Sequence, residues 1–583
     1  MTAQRFRQAI AQQLARITSA NEPHIASLLG TPKPTINRQF GLPVPKLTSS
    51  PPSSPSEAVQ WCKELSSKFE SNNYIKRATA SGSFLQFDVQ IDEYVRQALQ
   101  QIHHENSSYG SVKRSDHPTV VIDYSSPNIA KPFHAGHLRS TILGGFIKRV
   151  HEAMGYRVIG INYLGDWGKQ YGLLAVGFAK YGNEEKLKRD PIHHLYEVYV
   201  KINADAAKDP EVDRLANQYF SRMEKGDKDA LKQWLRFRDF SIASYKSIYK
   251  RLNIEFEHYS GESQVEPYIP KVYQLLNERD LVKQTEDGAW VVDLEPYNLG
   301  KAVIRRADGT SLYLTRDLAS LLLRQEKFGF DKAVYTVGTE QELYLRQLFK
   351  ISELAFDAPW SKSLYHANFG RIQGMSTRKG TVVFLQDILD TAKEKMLVNM
   401  QEANQFKYDE LASEGIDGLT GQDAIEYVAD TLGTSAVIVQ DMVGKRIKNY
   451  SFSWDRMTAA RGYTGVYLQF TYARLCGIER NSTVTRAAAC DPSLLKENEA
   501  IELAILLSQY PDIVRSSYQT MDPCTVVQYL FKLCHSVGQA NTILRVKGAD
   551  SDLARARLFL FEAAKITLAN GLRLIGVKPL ERI

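Results

Sequence analysis

Cysteine is scarce in this sequence. There are five in 583 residues, Cys62, Cys476, Cys490, Cys524 and Cys534, odd in number, scattered and without a CxxC pair. Such usage fits a reducing compartment and argues against a structural zinc site. No run is apolar enough to cross a membrane. No internal repeat and no long low-complexity tract appears, which argues against a repeat array. The charge imbalance is also small: 73 Lys and Arg against 66 Asp and Glu, a net +7. It agrees with a polyanionic partner but does not identify one. The first 21 residues contain Arg5, Arg7 and Arg16 and no acid, a pattern compatible with a mitochondrial transit peptide. Phe6, Ile10, Leu14 and Ile17 also form a helical stripe there, and a folded helix packed on a core is the preferred reading.

What is present is an ordinary globular composition, 43% apolar and 24% charged, in a chain too long for one core. Residues 1–115 read as a small α/β domain. A Pro/Ser-rich loop at Leu47 to Ser56 interrupts it, a helix follows near 57–70, and Leu85, Phe87 and Val89 alternate as a half-buried strand. Residues 116–420 read as a parallel-sheet domain. Thr119-Val-Val-Ile-Asp-Tyr is a buried strand, and a helix from about Ala135 stops at Gly155. Tyr156 to Leu164 is the next strand, which completes a βαβ unit. A mainly helical insertion is expected over about 185–290. Residues 421–583 read as all-α, with helices near 455–480, 494–510, 525–545 and 553–574.

The chemistry concentrates where the first strand hands over to its helix. His134-Ala-Gly-His137 stands at that turn, where free N–H groups and the helix dipole attract phosphate. Gly136 removes a side chain where a nucleotide would lie against the backbone. No cysteine cluster or nearby carboxylate completes a metal site around the two histidines.

Asp123-Tyr-Ser-Ser-Pro-Asn-Ile-Ala-Lys-Pro-Phe-His-Ala-Gly-His-Leu-Arg-Ser-Thr141 resembles the nucleotide-binding segment of arginyl-tRNA synthetases. Asn162 to Gln170, Leu312-Tyr-Leu-Thr-Arg-Asp317, Gly374-Met-Ser-Thr-Arg-Lys-Gly380 and Arg461 to Gln469 are similar to later motifs of that family, in the same order. The resemblance implies a class I synthetase fold: a Rossmann-type catalytic domain, a small α/β N-terminal domain and an all-α helical-bundle C-terminal domain.

It also implies roles. ATP would meet His134, Gly136, His137, His366, Phe369, Met375 and Ser376. Catalytic charge would come from Lys131, His134, His137, Arg378 and Lys379. Class I enzymes usually carry two lysines in the second signature, and Thr377 stands where one is expected. In the family pattern Lys131 compensates. L-arginine would meet Asp123, Ser125, Asn128, Tyr313, Asp317 and Gln341. A guanidinium is a planar fork of donors, so acids and hydroxyls suit it. The family usually has Glu at Asp123, so this shorter acid is expected to act directly or through water. A strand at Leu312–Thr315 would leave Asp317 as a helix cap as well. Phe84 and Gln86, with Tyr463 and Tyr467, are the expected contacts to tRNA(Arg), and Phe470 is equally a packing residue.

The implied reaction is ATP-driven arginine–tRNA ligation, with Mg2+ on the ATP phosphates and no other metal. The resemblance gives the 2′-hydroxyl of the terminal adenosine as the acceptor and a first step that needs bound tRNA. A monomer in the cytoplasm is expected, with a mitochondrial pool as the alternative. The rival functions are a small-molecule nucleotidyltransferase of the same fold and an RNA-binding relative without aminoacylation activity.

Overall fold

The computed structural model describes residues 2–30, 39–48, 52–129, 135–308, 312–374, 384–402, 408–459, 462–485, 489 and 491–583. Three antiparallel strands, β1 (Gln39–Pro43), β2 (Ile75–Ser81) and β3 (Phe84–Val89), form the N-terminal sheet in the order β1-β3-β2. Leu85, Phe87 and Val89 point inward, as alternation requires. The helix Thr2–Thr18 lies in this core: Phe6, Ile10 and Leu14 are fully buried, and Phe6 meets the ring edges of Tyr74 and Tyr94. Arg7 pairs with Asp512 at 2.8 Å, and the Tyr94 and Ser508 hydroxyls are 2.7 Å apart, so the N-terminal domain is tied to the C-terminal helices.

The central sheet has five parallel strands. They are β4 (Thr119–Asp123), β5 (Arg157–Leu164) and β6 (His258–Gly261), then, after a small antiparallel sheet of β7 (Val282–Gln284), β8 (Trp290–Asp293) and β9 (Lys301–Arg305), β10 (Lys332–Tyr335) and β11 (Leu364–His366). Their order is β11-β10-β4-β5-β6, parallel throughout. Every residue of β4 is buried: Val120 and Ile122 enter one core and Val121 the other, which is why this strand reads as a continuous β-branched run. The helix Ala135–Ala153 lies close against it. A Cβ on Gly144 would sit 2.2 Å from the Cβ of Tyr124, so only glycine allows the approach. Gly155, at φ +81°, ends the turn as expected.

The segment 185–290 is mainly helical: it holds Glu184–Arg189, Pro191–Ala206, Pro210–Glu224, Lys228–Arg251 and Ile269–Glu278, with the short strands β6 and β7 among them. β6 buries only Gly261, so this edge strand carries no apolar pattern to read. The helix expected over 455–480 is two, Trp454–Thr458 and Gly465–Arg480, the second capped by the Thr464 hydroxyl accepting from Tyr467 N at 3.1 Å. Asn498–Ser508 is followed at once by an unexpected helix, Tyr510–Thr520, with Pro511 in its first turn. Cys524–Ile543 and Ser551–Leu574 complete the bundle. One hydrophobic core runs from β4 through the helix Gly421–Met442 into these helices.

Candidate active site

Sheet topology locates the site. From β4 the chain steps outward through β5 and β6, then returns to build β10 and β11 on the other side of β4. The crossovers diverge between β4 and β10, and in open parallel sheets such a switch point leaves a crevice at the carboxyl ends of the strands. Asp123 is the last residue of β4 and lies in register with Tyr335, the last of β10. Beyond it Ser125 and Ser126 adopt φ +68° and +47°, a conformation that costs about 1–2 kcal/mol per residue. Hydrogen bonds hold it. Ser125 N donates to Ser140 Oγ at 2.9 Å, Ser140 Oγ to the Thr336 carbonyl at 2.7 Å, and Thr141 Oγ1 to Ser125 Oγ at 2.7 Å. The Ser125 hydroxyl also meets Tyr249 at 2.7 Å and is itself buried.

The helix Ala135–Ala153 opens onto this crevice, with Gly136 and His137 half-buried in its first turn. Lys131 and His134 lie outside the described residues, as do Met375, Ser376, Arg378 and Lys379. The chain approaches that second signature through the short strand β12 (Ile372–Gln373) and Gly374, at φ +74°. His366 ends β11, with Nε2 3.0 Å from the Val337 carbonyl oxygen; burial lowers its pKa, so this nitrogen is the donor of a neutral ring. Phe369 is buried, and its carbonyl accepts from Thr339 N and Oγ1, both at 3.0 Å.

An acidic cluster lies at the same strand ends. Asp123 accepts from Arg324 Nη2 at 2.5 Å and from the Ser126 hydroxyl at 2.7 Å. The Arg324 guanidinium is buried between the rings of Tyr163 and Tyr335, 5.2 and 5.4 Å from their centroids. Asp317 accepts the Tyr344 hydroxyl. It sits in the second turn of the helix Tyr313–Phe328, because Leu312–Thr315 is the beginning of that helix and not a strand; Asp317 therefore caps nothing. Burial pushes the Asp317 carboxyl up to about 6, against Tyr344 and Arg324 and with the help of Asp123. Glu262, next to the end of β6, is pushed to about 7 by burial, and Asp317 and Asp166 add to this; Arg316, 3.8 Å away, opposes it only in part. The buried Tyr163 hydroxyl has no hydrogen-bond partner among the described residues; burial raises its pKa, Asp317, Glu262 and Asp123 add to this, and Arg324 opposes it. Acids left this short of positive charge are suited to a cation.

Tyr313, 70% exposed, stands one turn before Asp317 at the start of the same helix. Asn128 bridges to Gly165 and donates to Gln170 Oε1 at 3.4 Å; Gln341 is exposed at the end of the turn after β10. The sequence motifs single out neither Glu262 nor Arg324. Arg324 follows Asp317 by seven residues, two helical turns on one face, a spacing the sequence does carry. Glu262 follows an edge strand that the sequence hides.

The remaining candidates lie away from the sheet. Phe84 is 49% exposed on β3 with Gln86 beside it, and Tyr463, 74% exposed, rests on the edge of Phe531. Tyr467 is half-buried in the first turn of Gly465–Arg480. A cavity of about 870 Å3 opens in the helical bundle beside Phe470, Arg474, Arg480, Arg545 and Lys547.

Two family models match this chain. Residues 97–454 match the catalytic domain of the class I (R) tRNA synthetases, and residues 468–583 match the DALR anticodon binding domain. The cytoplasmic arginine–tRNA ligase of Saccharomyces cerevisiae is 45% identical over 99% of this chain and 94% of its own length. The mitochondrial arginine–tRNA ligase of the same organism is 43% identical over 93% of this chain and 83% of its own. In fold, the arginyl-tRNA synthetase of Thermus thermophilus superposes with a TM-score of 0.80 at 21% identity, each chain covered completely. The reading as an RNA-binding relative without aminoacylation activity finds no support among these relatives. With a class I catalytic domain, an anticodon binding domain and full-length relatives of one kind, the chain belongs to the arginine–tRNA ligases, a family of class I aminoacyl-tRNA synthetases.

Proposed function

We propose that the protein activates L-arginine with ATP and transfers it to the 3′-terminal adenosine of tRNA(Arg). The observation that carries this reading is the pair of desolvated acids, Asp317 and Glu262, at the crevice onto which the helix Ala135–Ala153 opens. A guanidinium between them would replace the hydration that both have lost. Asp123, neutralised by Arg324, would add a contact through water, and Tyr313 would close the mouth. Asn128, Ser125 and Gln341 would hold the α-amino end of the substrate.

The arginine carboxylate would then attack the α-phosphorus of ATP in line, forming arginyl-adenylate as the Pα–O bond to pyrophosphate breaks. The ribose hydroxyl of the RNA would attack the activated carbonyl, and AMP would leave. Neither step needs a nucleophilic side chain. Lys131, His134, His137, Arg378 and Lys379 would stabilise charge that develops on phosphate, and His366, Phe369, Gly136, Met375 and Ser376 would seat the nucleotide. Mg2+ belongs to this scheme as a companion of the ATP phosphates. Among the described residues no group of three His, Cys, Asp or Glu side chains could hold it separately.

Residues 1–115, 116–420 and 421–583 divide the work into a domain that touches tRNA through Phe84 and Gln86, a catalytic domain, and an anticodon-binding domain that uses Tyr463 and Tyr467. The cavity beside Phe470, lined by Arg474, Arg480, Arg545, Lys547 and Arg582 against Glu410 and Glu414, carries a net positive charge that suits single-stranded RNA. We also propose that the protein acts as a monomer in the cytoplasm. The apolar stripe of the helix Thr2–Thr18 is built into the first domain, so removing that helix would open the domain's core. N-terminal sequencing of the mature protein, from cytosol and mitochondria, tests this.

Amino-acid-dependent exchange of pyrophosphate into ATP, with and without tRNA(Arg), tests the activity. Exchange with arginine when the RNA is present is expected. Exchange driven by another amino acid, or none, would refute the proposal.

A further inference from the structure

Arg139 is among the largest side chains the molecule buries completely. It leaves the helix Ala135–Ala153 two residues after His137. Its Nη1 donates to the Gly370 carbonyl at 2.6 Å and to the Lys448 carbonyl at 2.9 Å. Its Nε lies 3.2 Å from Asp441 Oδ1, and its plane covers the Tyr450 ring at 5.1 Å. These partners come from two other segments. Gly370 stands four residues before Gly374 and leads into the second signature. Asp441 is at the end of the helix Gly421–Met442, and Lys448 and Tyr450 are on the connection that follows, which includes the strand β13 (Tyr450–Ser451).

The two segments are also joined to each other. Gly370 N donates to the Arg446 carbonyl at 3.1 Å, Arg371 N to Asn449 Oδ1 at 2.7 Å, and Phe452 N to the Gln373 carbonyl at 2.9 Å. A Cβ on Gly370 would come within 2.5 Å of the Lys448 carbonyl carbon. Both members of the Arg139–Asp441 pair are 1% exposed. Burying such a pair seldom stabilises a fold more than apolar side chains of the same volume would. What Arg139 adds is direction toward Gly370 and Lys448, because Nη1 donates to both carbonyls, while its contact with Asp441 is ionic, Nε making no hydrogen bond among the described residues.

We infer that Arg139 is a positioning residue for adenylation, holding the first-signature helix, the strand that enters the second signature and the exit of the helix Gly421–Met442 in one register, with Asp441 as the anchor through which the helical domain sets it. This rests on the reading of the two signatures as the ATP site. If the pair fails, both signatures are present but out of register, so turnover falls while the arginine pocket, built on β4, β6 and the helix Tyr313–Phe328, is left intact.

The test uses the full-length protein with tRNA(Arg), ATP and arginine. Pyrophosphate exchange and thermal unfolding are measured for wild type, Asp441→Asn, Arg139→Lys and the apolar pair Arg139→Met with Asp441→Leu. The apolar pair is expected to unfold within a few degrees of wild type, with kcat at least 30-fold lower and the KM for arginine within twofold. Arg139→Lys, which keeps the charge and loses the fork, should not recover kcat. If the apolar pair does not fold, Asp441→Asn decides, with the same fall in kcat at unchanged arginine KM expected. Wild-type kcat in the folded apolar pair, or in Asp441→Asn, would overturn the inference. Exchange absent from the wild type would overturn the reading of the site, and this inference with it.

Discussion

Asp123 and Arg324 are bonded at 2.5 Å, so an acid expected to meet the substrate's guanidinium already holds a guanidinium of the protein. The pair is buried, and removing one partner leaves a charge without water or counter-ion. Arg324→Met is therefore expected to destabilise the protein by about 3–5 kcal/mol. Asp123→Asn should change stability more than it changes the KM for arginine. Urea unfolding with steady-state kinetics checks both; an unaltered midpoint in Arg324→Met would remove the pair from the account.

Asp317 accepts the Tyr344 hydroxyl, feels Arg324 without an ion pair among the described residues, and is proposed to meet the substrate's guanidinium. Loss of one charge-assisted hydrogen bond is worth about 1.5–3 kcal/mol, so Asp317→Asn should raise the KM for arginine about 10- to 100-fold. Because burial already disfavours its charge, the melting temperature should hold or rise. A KM equal to wild type would take Asp317 out of the pocket.

Lys131 is proposed to stand in for the lysine that Thr377 replaces. Lys131→Ala should lower the rate of adenylation by about 100-fold or more while the circular dichroism spectrum is kept. A kcat close to wild type would show that the loop around Arg378 and Lys379 carries the charge alone.

Phe84 is half exposed and Tyr467 sits on a helix end far along the chain. If each stacks on RNA, Phe84→Ala and Tyr467→Ala should each raise the KM for tRNA(Arg) about tenfold and leave the KM for arginine unchanged. Equal RNA affinity with a lowered melting temperature would mark them as packing residues.

The parts that could be read from the sequence are those where one segment carries its own pattern. β4 is buried on both faces and so is a continuous Val-Val-Ile run, and the stripe from Leu138 to Met154 fixes the helix after it. Asp317 was reached through its motif. What stayed hidden depends on distant chain. Glu262 matters because β6 pairs beside β5 across the whole helical insertion, and no local spacing announces that. Leu312–Thr315 looked like a strand because Leu and Tyr suit either state, and packing of Leu314 and Leu318 on the second core decides for a helix. The Arg139–Asp441 pair joins positions about 300 residues apart, and sequence spacing alone gives no sign of it.

The most direct test is the proton balance of arginine binding, measured calorimetrically in buffers of different ionisation heat. Glu262 near 7 and Asp317 near 6 are partly protonated in the free protein at about pH 6.5. Raised acids bind more protons folded than unfolded, so they lower stability as pH rises through this window, and a bound guanidinium reverses their shift. Arginine should therefore release protons on binding at about pH 6.5, release almost none at about pH 8.5, and lose affinity as the pH falls from 8 to about 5.5, with a smaller release in Asp317→Asn. Affinity independent of pH across that range, with no proton released, would contradict a guanidinium site built on these two acids.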